Sequence, residues 1–513
     1  MPDAPVMPVL ILLAGAVILP LVTLVAKRAA AGIALFAAAS ATAFSVLNMV
    51  RVLDEGRIRY LMAGWPPPIG IEYVLDPLSA FVILVINAVA LTVLVHARLS
   101  VRAEIRGENR DVPYYALVLL MLCGFNGIVA TGDFFNLYVW LEISSLALYG
   151  LIAAGDRGSP VAAFRYLIMG AIGASFYLLG VGFVFVMTGS LNMADLAAIL
   201  PHVRTEPPVI VGLVLMVTGM SVKMALFPLH GWLPEAYTRA PSSASALIAP
   251  TGTKVGAYVL IRVLFFVFGA EFAARTLPVT SAIGWLAAMA VIYGSVMAIA
   301  QKELKRMLAF SSVAQVGYIG IGIGLASPLG IVGAVLHVLN HAVMKALLFL
   351  VAGSFRLRLG HSRIDRLDVS VRRKMPWTTA ALTVGALSMV GVPPLAGFFS
   401  KWYLALGSVQ AGNWIFLAVI LVSSLLNAVY FFRVIERLYM EKAEKGEAAG
   451  GAVSADKAGA APGTNGVEAA AGDMPPSMLG PVLVLAAALL ALGLFNAFLV
   501  KGVIMKILPP GLM

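Results

Sequence analysis

Four lysines and one glutamate interrupt apolar stretches of this 513-residue chain. Lys223, Lys254, Lys345 and Lys401 each sit inside a long hydrophobic run, and Glu142 sits inside another. A charge at the centre of a bilayer costs roughly 2.5–3.5 kcal/mol on insertion scales. The set of five would cost on the order of 10 kcal/mol or more if it faced lipid. Such residues face a protein interior or a wet path, and their chemistry there is the relay of ions or protons. Lysine suits that task because a desolvated amine can release its proton, whereas arginine stays charged. Fixed ion pairing is the competing account, but Glu142 is the one acid near the centre of an apolar run.

His337, His341 and Lys345 recur at i, i+4 and i+8, which puts them on one helix face. Histidine titrates close to physiological pH, so this stripe reads as a second part of a relay. Haem ligation and core packing are the alternatives. Axial ligation normally draws on two facing helices, and no other apolar run carries a central histidine. Ser311, Ser312 and Gln315 could hold water beside the stripe or could serve helix packing. His230 follows Pro228 at the end of an apolar run and is a candidate proton-entry group, or else a surface histidine.

The elements that must position these residues are membrane helices. The chain is 61% hydrophobic and 12% charged, and runs of about 20 apolar residues cross a core of about 30 Å. The expected fold is all-α and polytopic, with about fourteen spans at 7–26, 30–50, 76–97, 114–131, 134–154, 161–187, 208–228, 241–268, 279–300, 307–325, 328–355, 376–407, 413–436 and 478–500. The alternating segments of a membrane β-barrel are missing from the sequence. The first span lacks a basic stretch before it and reads as retained rather than cleaved. The single cysteine, Cys123, excludes a disulfide within the chain, and no C-x-x-C motif occurs. No metal or cofactor is expected.

A net charge of +11 invites a nucleic-acid reading, but the basic residues cluster in short loops as membrane topology demands. One side holds Lys27, Arg28, Arg98, Arg102, Arg106, Arg110, Arg157, Arg239, Lys302, Lys305 and Arg306. It also holds the group from Arg356 to Lys374 and the residues from Arg433 to Lys457, making 23 of the 36 Lys and Arg in all. The other side holds Arg51, Arg57, Arg59, Arg204, Arg275, Lys501 and Lys506. This asymmetry puts both termini outside the cytoplasm. Arg165 and Arg262 lie near span ends and are expected to snorkel. Residues 51–75, with Trp65-Pro66-Pro67-Pro68, form an outer loop of extended or turn structure. Residues 441–477 change abruptly to Ala, Gly, Glu and Lys, the composition of a disordered cytoplasmic linker.

Two spans carry breakers. Span seven holds Lys223 and then Pro228; span twelve holds Gly391-Val392-Pro393-Pro394 and then Lys401. Proline removes a backbone donor, and a break in mid-membrane is tolerated only where protein or water covers it. The breaks are five spans apart. Spans 4–8 and 9–13 therefore form two five-helix units, the second inverted relative to the first, a pattern that points to a transport path. An ordinary proline kink would explain one break better than two. The resulting divisions are spans 1–3 with the outer loop (1–113), a first repeat (114–268), a second repeat (279–440), the linker (441–477) and a last span (478–513).

Several segments resemble a known family. They are Gly64-Trp65 through Ile71-Glu72, Gly132-Asp133-Phe134-Phe135-Asn136-Leu137 with Glu142, and Lys223 to Pro234. Others are Thr253 to Tyr258, Lys305 to Ser312, Asn340-His341-Ala342-Val343-Met344-Lys345, and Gly397-Phe398-Phe399-Ser400-Lys401-Trp402. The chain resembles the antiporter-like subunits of respiratory complex I and, more closely, the D subunits of Mrp-type multisubunit cation/proton antiporters. The likeness covers about residues 1–440 and the last span. It implies fourteen helices with inverted repeats and a hydrated chain of ionisable groups along the midplane. Within that chain Glu142 pairs with Lys223, Lys254 is central, His337, His341 and Lys345 form the stripe between the halves, and Lys401 is the far end. It also implies a bacterial inner membrane, partner membrane subunits, and protons with Na⁺ as the transported ions. A proton-translocating subunit of a redox-driven, complex I-like assembly is the alternative within the fold. A membrane anchor that conducts nothing is the alternative outside it.

Overall fold

The computed structural model describes residues 5–26, 28–105, 110–156, 158–440, 472–509 and 511–512. Among these residues, 12 helices are long and apolar enough to cross a membrane. The protein is a polytopic, almost wholly α-helical membrane protein. An N-terminal group comprises α1 (Met7–Thr23), α2 (Ala30–Glu55) and α3 (Pro77–Glu104). Next come α4 (Asp111–Ala130), α5 (Phe134–Ala153), α6 (Ser159–Thr188), the short α7 (Met193–Val203), α8 (Pro207–Met224), α9 (Leu233–Arg239) and α10 (Ser242–Ile261). They are followed by α11 (Val279–Ile299), α12 (Leu304–Leu325), α13 (Pro328–Leu359), α14 (Val369–Lys374), α15 (Pro376–Val390), α16 (Ala396–Gln410) and α17 (Trp414–Tyr439). The chain closes with α18 (Pro476–Leu494) and α19 (Asn496–Gly502).

Local sequence sets the helix ends. Asp76 caps α3 in a reciprocal box with Ser79, and Pro77 takes the first helical position, where its missing N–H costs nothing. Asp133 caps α5, and Ser327 caps α13 ahead of Pro328. Gly189 and Gly360 close α6 and α13 in the left-handed conformation that glycine adopts freely. The π-helical turn Arg262–Val267 continues α10, so this span reaches Val267.

Burial separates the centre from the lipid face. In α13 nearly every residue from Gly330 to Phe355 is buried, and α10 and α12 are almost as enclosed. By contrast α17 presents Ile415, Leu421, Val422, Leu425, Val429 and Phe432 outward, as a helix bordering lipid does. α10 packs on α13, α6 on α8, and α11 along α12. Lys254, His337, His341 and Lys345 thus fall on the enclosed helices, while Glu142, Lys223 and Lys401 lie on α5, α8 and α16, which also expose apolar side chains.

The outer loop departs from an all-helical picture. β1 (Ile58–Leu61) and β2 (Glu72–Leu75) pair antiparallel, with Ile58 opposite Leu75 and Leu61 opposite Glu72. Fully buried Glu72 accepts from Asn192 Nδ2 at 2.8 Å and from Arg59 Nε at 2.8 Å. Gly132 N donates to Glu72 O and Gly132 O accepts from Met193 N, so the Gly132–Leu137 motif is stitched to the hairpin and to α7. At the other end of the chain, α18 begins at Pro476. Asp473 accepts from the backbone N–H groups of Trp377 and Thr378 at the start of α15. Residues 441–471 of the expected linker lie outside the described residues.

Candidate functional site

The two breaks occur where the sequence places them, and they are built differently. α8 stops at Met224 because Ala225 turns into left-handed geometry (φ +61°) and Pro228 cannot donate. The helix resumes at Leu233. Trp232 Nε1 donates to Val222 O at 3.0 Å, which satisfies one carbonyl freed by the break. The helical path therefore runs over Pro207–Met224 and, after the break, over Leu233–Arg239, past the residue 228 at which the expected span ends. α15 stops at Val390 because Gly391 (φ +92°) and Pro393-Pro394 end the helix, and α16 restarts at Ala396.

Lys223 lies in the last turn of α8, buried against α5 and α6. Its Nζ donates to Ser145 Oγ at 2.7 Å and lies 6.0 and 5.9 Å from the ring centres of Tyr149 and Tyr166. A side chain at Gly170 would fill this niche, since its Cβ would stand 3.2 Å from Lys223 Nζ. Glu142 is one turn before Ser145 and only half-buried. The pairing implied by the family resemblance is not a direct contact. Among the described residues no ion pair joins Glu142 to Lys223, although the glutamate charge is within electrostatic reach. The lysine takes the neighbouring serine instead.

Lys401 leans from α16 back across the second break. Its Nζ donates to Met389 O at 2.9 Å, Val390 O at 3.0 Å and Ser424 Oγ at 3.1 Å. These carbonyls are the last of α15, where a cation is favoured by both hydrogen bonding and the helix dipole. Glycine is required nearby. A Cβ at Gly397 would sit 1.8 Å from Ser388 O, and one at Gly493 of α18 would sit 1.8 Å from Pro394 O. Gly397→Ala is expected to force the two half-helices apart and to cost more than about 1–3 kcal/mol, the usual scale of overpacking. A lower thermal midpoint of the purified protein in detergent checks it; an unchanged midpoint would contradict this packing.

Between the breaks, Lys401, Tyr318, His337 and His341 follow one another in contact, while Lys345 and Lys254 are held by their own local partners. Ser400, beside Lys401, is hydrogen-bonded to His337 Nδ1 at 2.9 Å. Tyr318 of α12 lies under Lys401 Nζ (4.9 Å) and 5.3 Å from the His337 ring. His337 stacks on His341 at 5.8 Å. Lys345 Nζ donates to Leu308 O at 2.7 Å and to Ser311 Oγ. Lys254, one residue after Thr253, donates to Ala249 O at 2.6 Å and to Thr253 Oγ1 at 3.2 Å. Its charge reaches His337, His341 and Lys345. Gly256 lets α10 touch the end of α8, since its Cβ would stand 3.2 Å from Lys223 C. The backbone of the first break thereby packs directly on α10, the helix that carries Lys254.

Several buried polar atoms along this line have no protein partner: His337 Nε2, both ring nitrogens of His341 and both amide atoms of Gln315. Buried polar groups are satisfied by protein or by ordered water, and these atoms on α12 and α13 lack the first. Amines, imidazoles, hydroxyls and water at such spacings can pass protons without covalent chemistry.

The family model described as NADH:quinone oxidoreductase/Mrp antiporter, TM, matches residues 131–427. The chain belongs to this family. The matched stretch of the NADH:quinone oxidoreductase/Mrp antiporter family holds Glu142, both breaks and the whole polar line. The NADH-quinone oxidoreductase subunit N of Desulforudis audaxviator (strain MP104C) is 49% identical over 479 residues, which is 93% of each chain. The D subunit of the Na⁺/H⁺ antiporter of Alkalihalophilus pseudofirmus is 30% identical over 401 residues, covering 78% of this chain and 79% of that one. Among solved structures, a chain of the membrane-bound sulfane sulfur reductase, an archaeal respiratory membrane complex, superposes with a TM-score of 0.86 at 30% identity. It covers 98% of this chain and 97% of that one. The resemblance placed the D subunits nearer than the complex I subunits, but identity to the subunit N relative is higher.

Within this family member, three placements differ from the sequence reading. His230 is not on the surface. It sits buried between α8 and α9, stacked on Phe227 at 5.4 Å and edge-on to Tyr293 at 4.9 Å. Arg262 does not snorkel; it forms a bidentate pair with Asp76 (2.5 and 2.8 Å) and also donates to Tyr258 Oη. That pair lines a cavity of about 170 Å³ with Thr131, Gly132 and Tyr258. Lys305, assigned to a loop, is fully buried in the first turn of α12, and its Nζ donates to Ala240 O at 2.7 Å. The loop assignment failed because α12 starts at Leu304 and packs against α9, which a hydropathy window cannot register.

Proposed function

We propose that this chain is the antiporter-like, proton-translocating subunit of a multisubunit membrane complex. Protons move along Glu142, Lys223, Lys254, the His337–His341–Lys345 face and Lys401 by side-chain and water relay. The observation that carries this reading is the set of buried lysines and histidines between two broken helices, with Lys401, Tyr318, His337 and His341 in a row and several buried polar atoms that lack a protein partner. The two breaks sit in helices five spans apart when α1 and the α15–α16 pair are added to the 12 long helices. On that basis the fold is fourteen spans with two inverted units, 114–268 and 279–440, preceded by 1–113 and followed by 478–513. Loop charge supports both termini facing outward from a bacterial inner membrane.

The partners are other membrane subunits. Identity to a NADH-quinone oxidoreductase subunit favours a redox-linked complex. The second reading is an Na⁺/H⁺ antiporter, favoured by the antiporter D subunits among the relatives. Purifying the intact complex through a tag on this chain separates the two. Flavin or iron–sulfur absorbance with donor-dependent acidification of vesicles supports the redox reading. Na⁺-driven proton exchange without such absorbance supports the antiporter. A chain that purifies alone and gives no proton flux contradicts both.

A further inference from the structure

The basic-rich face of the molecule, cytoplasmic in the function proposed above, holds a buried polar cluster that the relay does not include. Glu104 closes α3, Ser242 opens α10 and Lys305 is the second residue of α12. Glu104 Oε2 accepts from Ser242 N at 2.7 Å, while its Oε1 is buried without a protein partner. Ser242 Oγ is likewise buried and unpartnered. Lys305 is fully buried, spends one N–H on Ala240 O, and lies within reach of the Glu104 charge without forming a direct ion pair among the described residues. Glu303, Asp156 and Arg356 also act on Lys305, and Arg306 pairs with Glu235 at 3.2 Å just outside. Glu104 and Ser242 are thus hydrogen-bonded neighbours with one unpartnered oxygen each, and Lys305 is anchored two residues before Ser242, on Ala240 O.

The cluster meets the relay along α13. Residues 345, 349 and 353 share one helix face. At one end Lys345 belongs to the central line. At the other, Gly353 lies against Ser242, for a Cβ there would stand 2.8 Å from Ser242 Cβ. Phe349 separates the two, with Lys345 Nζ 6.0 Å from its ring on one side and the Tyr237 ring edge-on at 6.1 Å. Tyr237 Oη is itself buried without a hydrogen-bond partner.

We propose that Glu104, Ser242 and Lys305 form the cytoplasmic proton-loading site of this subunit, closed from the central lysines by Phe349 and Tyr237. The Glu104 carboxylate takes a proton from cytoplasmic water and becomes the neutral acid. It then gives that proton, through Ser242 and water past Phe349, to the free amine of Lys345, which becomes ammonium. Lys305, buried beside the site, supplies positive charge to it, and Phe349 keeps water from running continuously between the two compartments.

The inference rests on the proton-translocating reading, and its test separates the two. In vesicles containing the intact complex, wild type and Lys254→Ala are measured first; no flux in wild type overturns the functional reading itself. Glu104→Gln is then expected to lower proton flux on the order of 100-fold, the usual contribution of a positioned proton-transfer group. The loss should appear in the dependence on cytoplasmic pH and not on outer pH, with recovery in Glu104→Asp. Phe349→Ala should raise passive proton leak. Unchanged flux and pH dependence in Glu104→Gln, with Lys254→Ala inactive, overturn the loading site. So does equal sensitivity to pH on both sides.

Discussion

Replacing Lys223 by alanine, or Glu142 by glutamine, should reduce proton transport to background in vesicles while the complex still assembles. Lys223 is bound to Ser145 Oγ and ringed by Tyr149 and Tyr166, with no acid in contact among the described residues, so fixed neutralisation does not explain its presence. Removing the amine leaves a serine hydroxyl that still donates to Leu141 O, so the fold should survive. Glu142→Gln keeps the shape and removes the charge that reaches Lys223. A proton hop along such a pair depends on each charge altering the other's affinity. Transport at wild-type rates in both variants would remove the first break from the path. The loss should be on the order of 100-fold or more if these groups transfer protons directly.

Lys401→Ala should have the second largest effect, on transport and stability together. Three hydrogen bonds end on its ammonium, two of them at the C-terminus of α15. Without it, Met389 and Val390 lose this donor at a buried break. Hydrogen bonds to charged groups contribute about 1.5–3 kcal/mol each, and a buried group left unpaired costs about 1–3 kcal/mol. Lys401→Met keeps the aliphatic stem that packs near Gly391 and so separates lost packing from lost charge. Both variants should lose transport, with Lys401→Ala melting lower. Normal transport in Lys401→Met would show that the residue only ties the half-helices together.

Much of this arrangement is legible in sequence because membrane insertion makes charge conspicuous. The four lysines stand out against apolar neighbours, and Pro228 and Pro393-Pro394 mark the breaks by removing donors. The i, i+4, i+8 spacing of His337, His341 and Lys345 is a helix face by periodicity alone. What the sequence hides is partnership. Lys223 and Ser145 are 78 positions apart, and Asp76 and Arg262 are 186 apart, so neither contact leaves a local signal. Lys305 looks like a loop lysine because basic residues crowd around it, yet helix packing buries it. His230 looks like a span end because Pro228 stops the apolar pattern, whereas the helix resumes five residues later at Leu233. The prolines of the outer loop foreshadow its hairpin only as extended chain.

The central claim is that the buried lysines work by giving up and regaining protons. Lys254→Arg tests it most directly, because arginine keeps the charge and can donate to Ala249 O but does not deprotonate. Proton flux is measured in vesicles with the variant complex, its subunit composition checked against wild type. The relay predicts a normally assembled complex with flux at background. An assembled complex that translocates protons at the wild-type rate would contradict it.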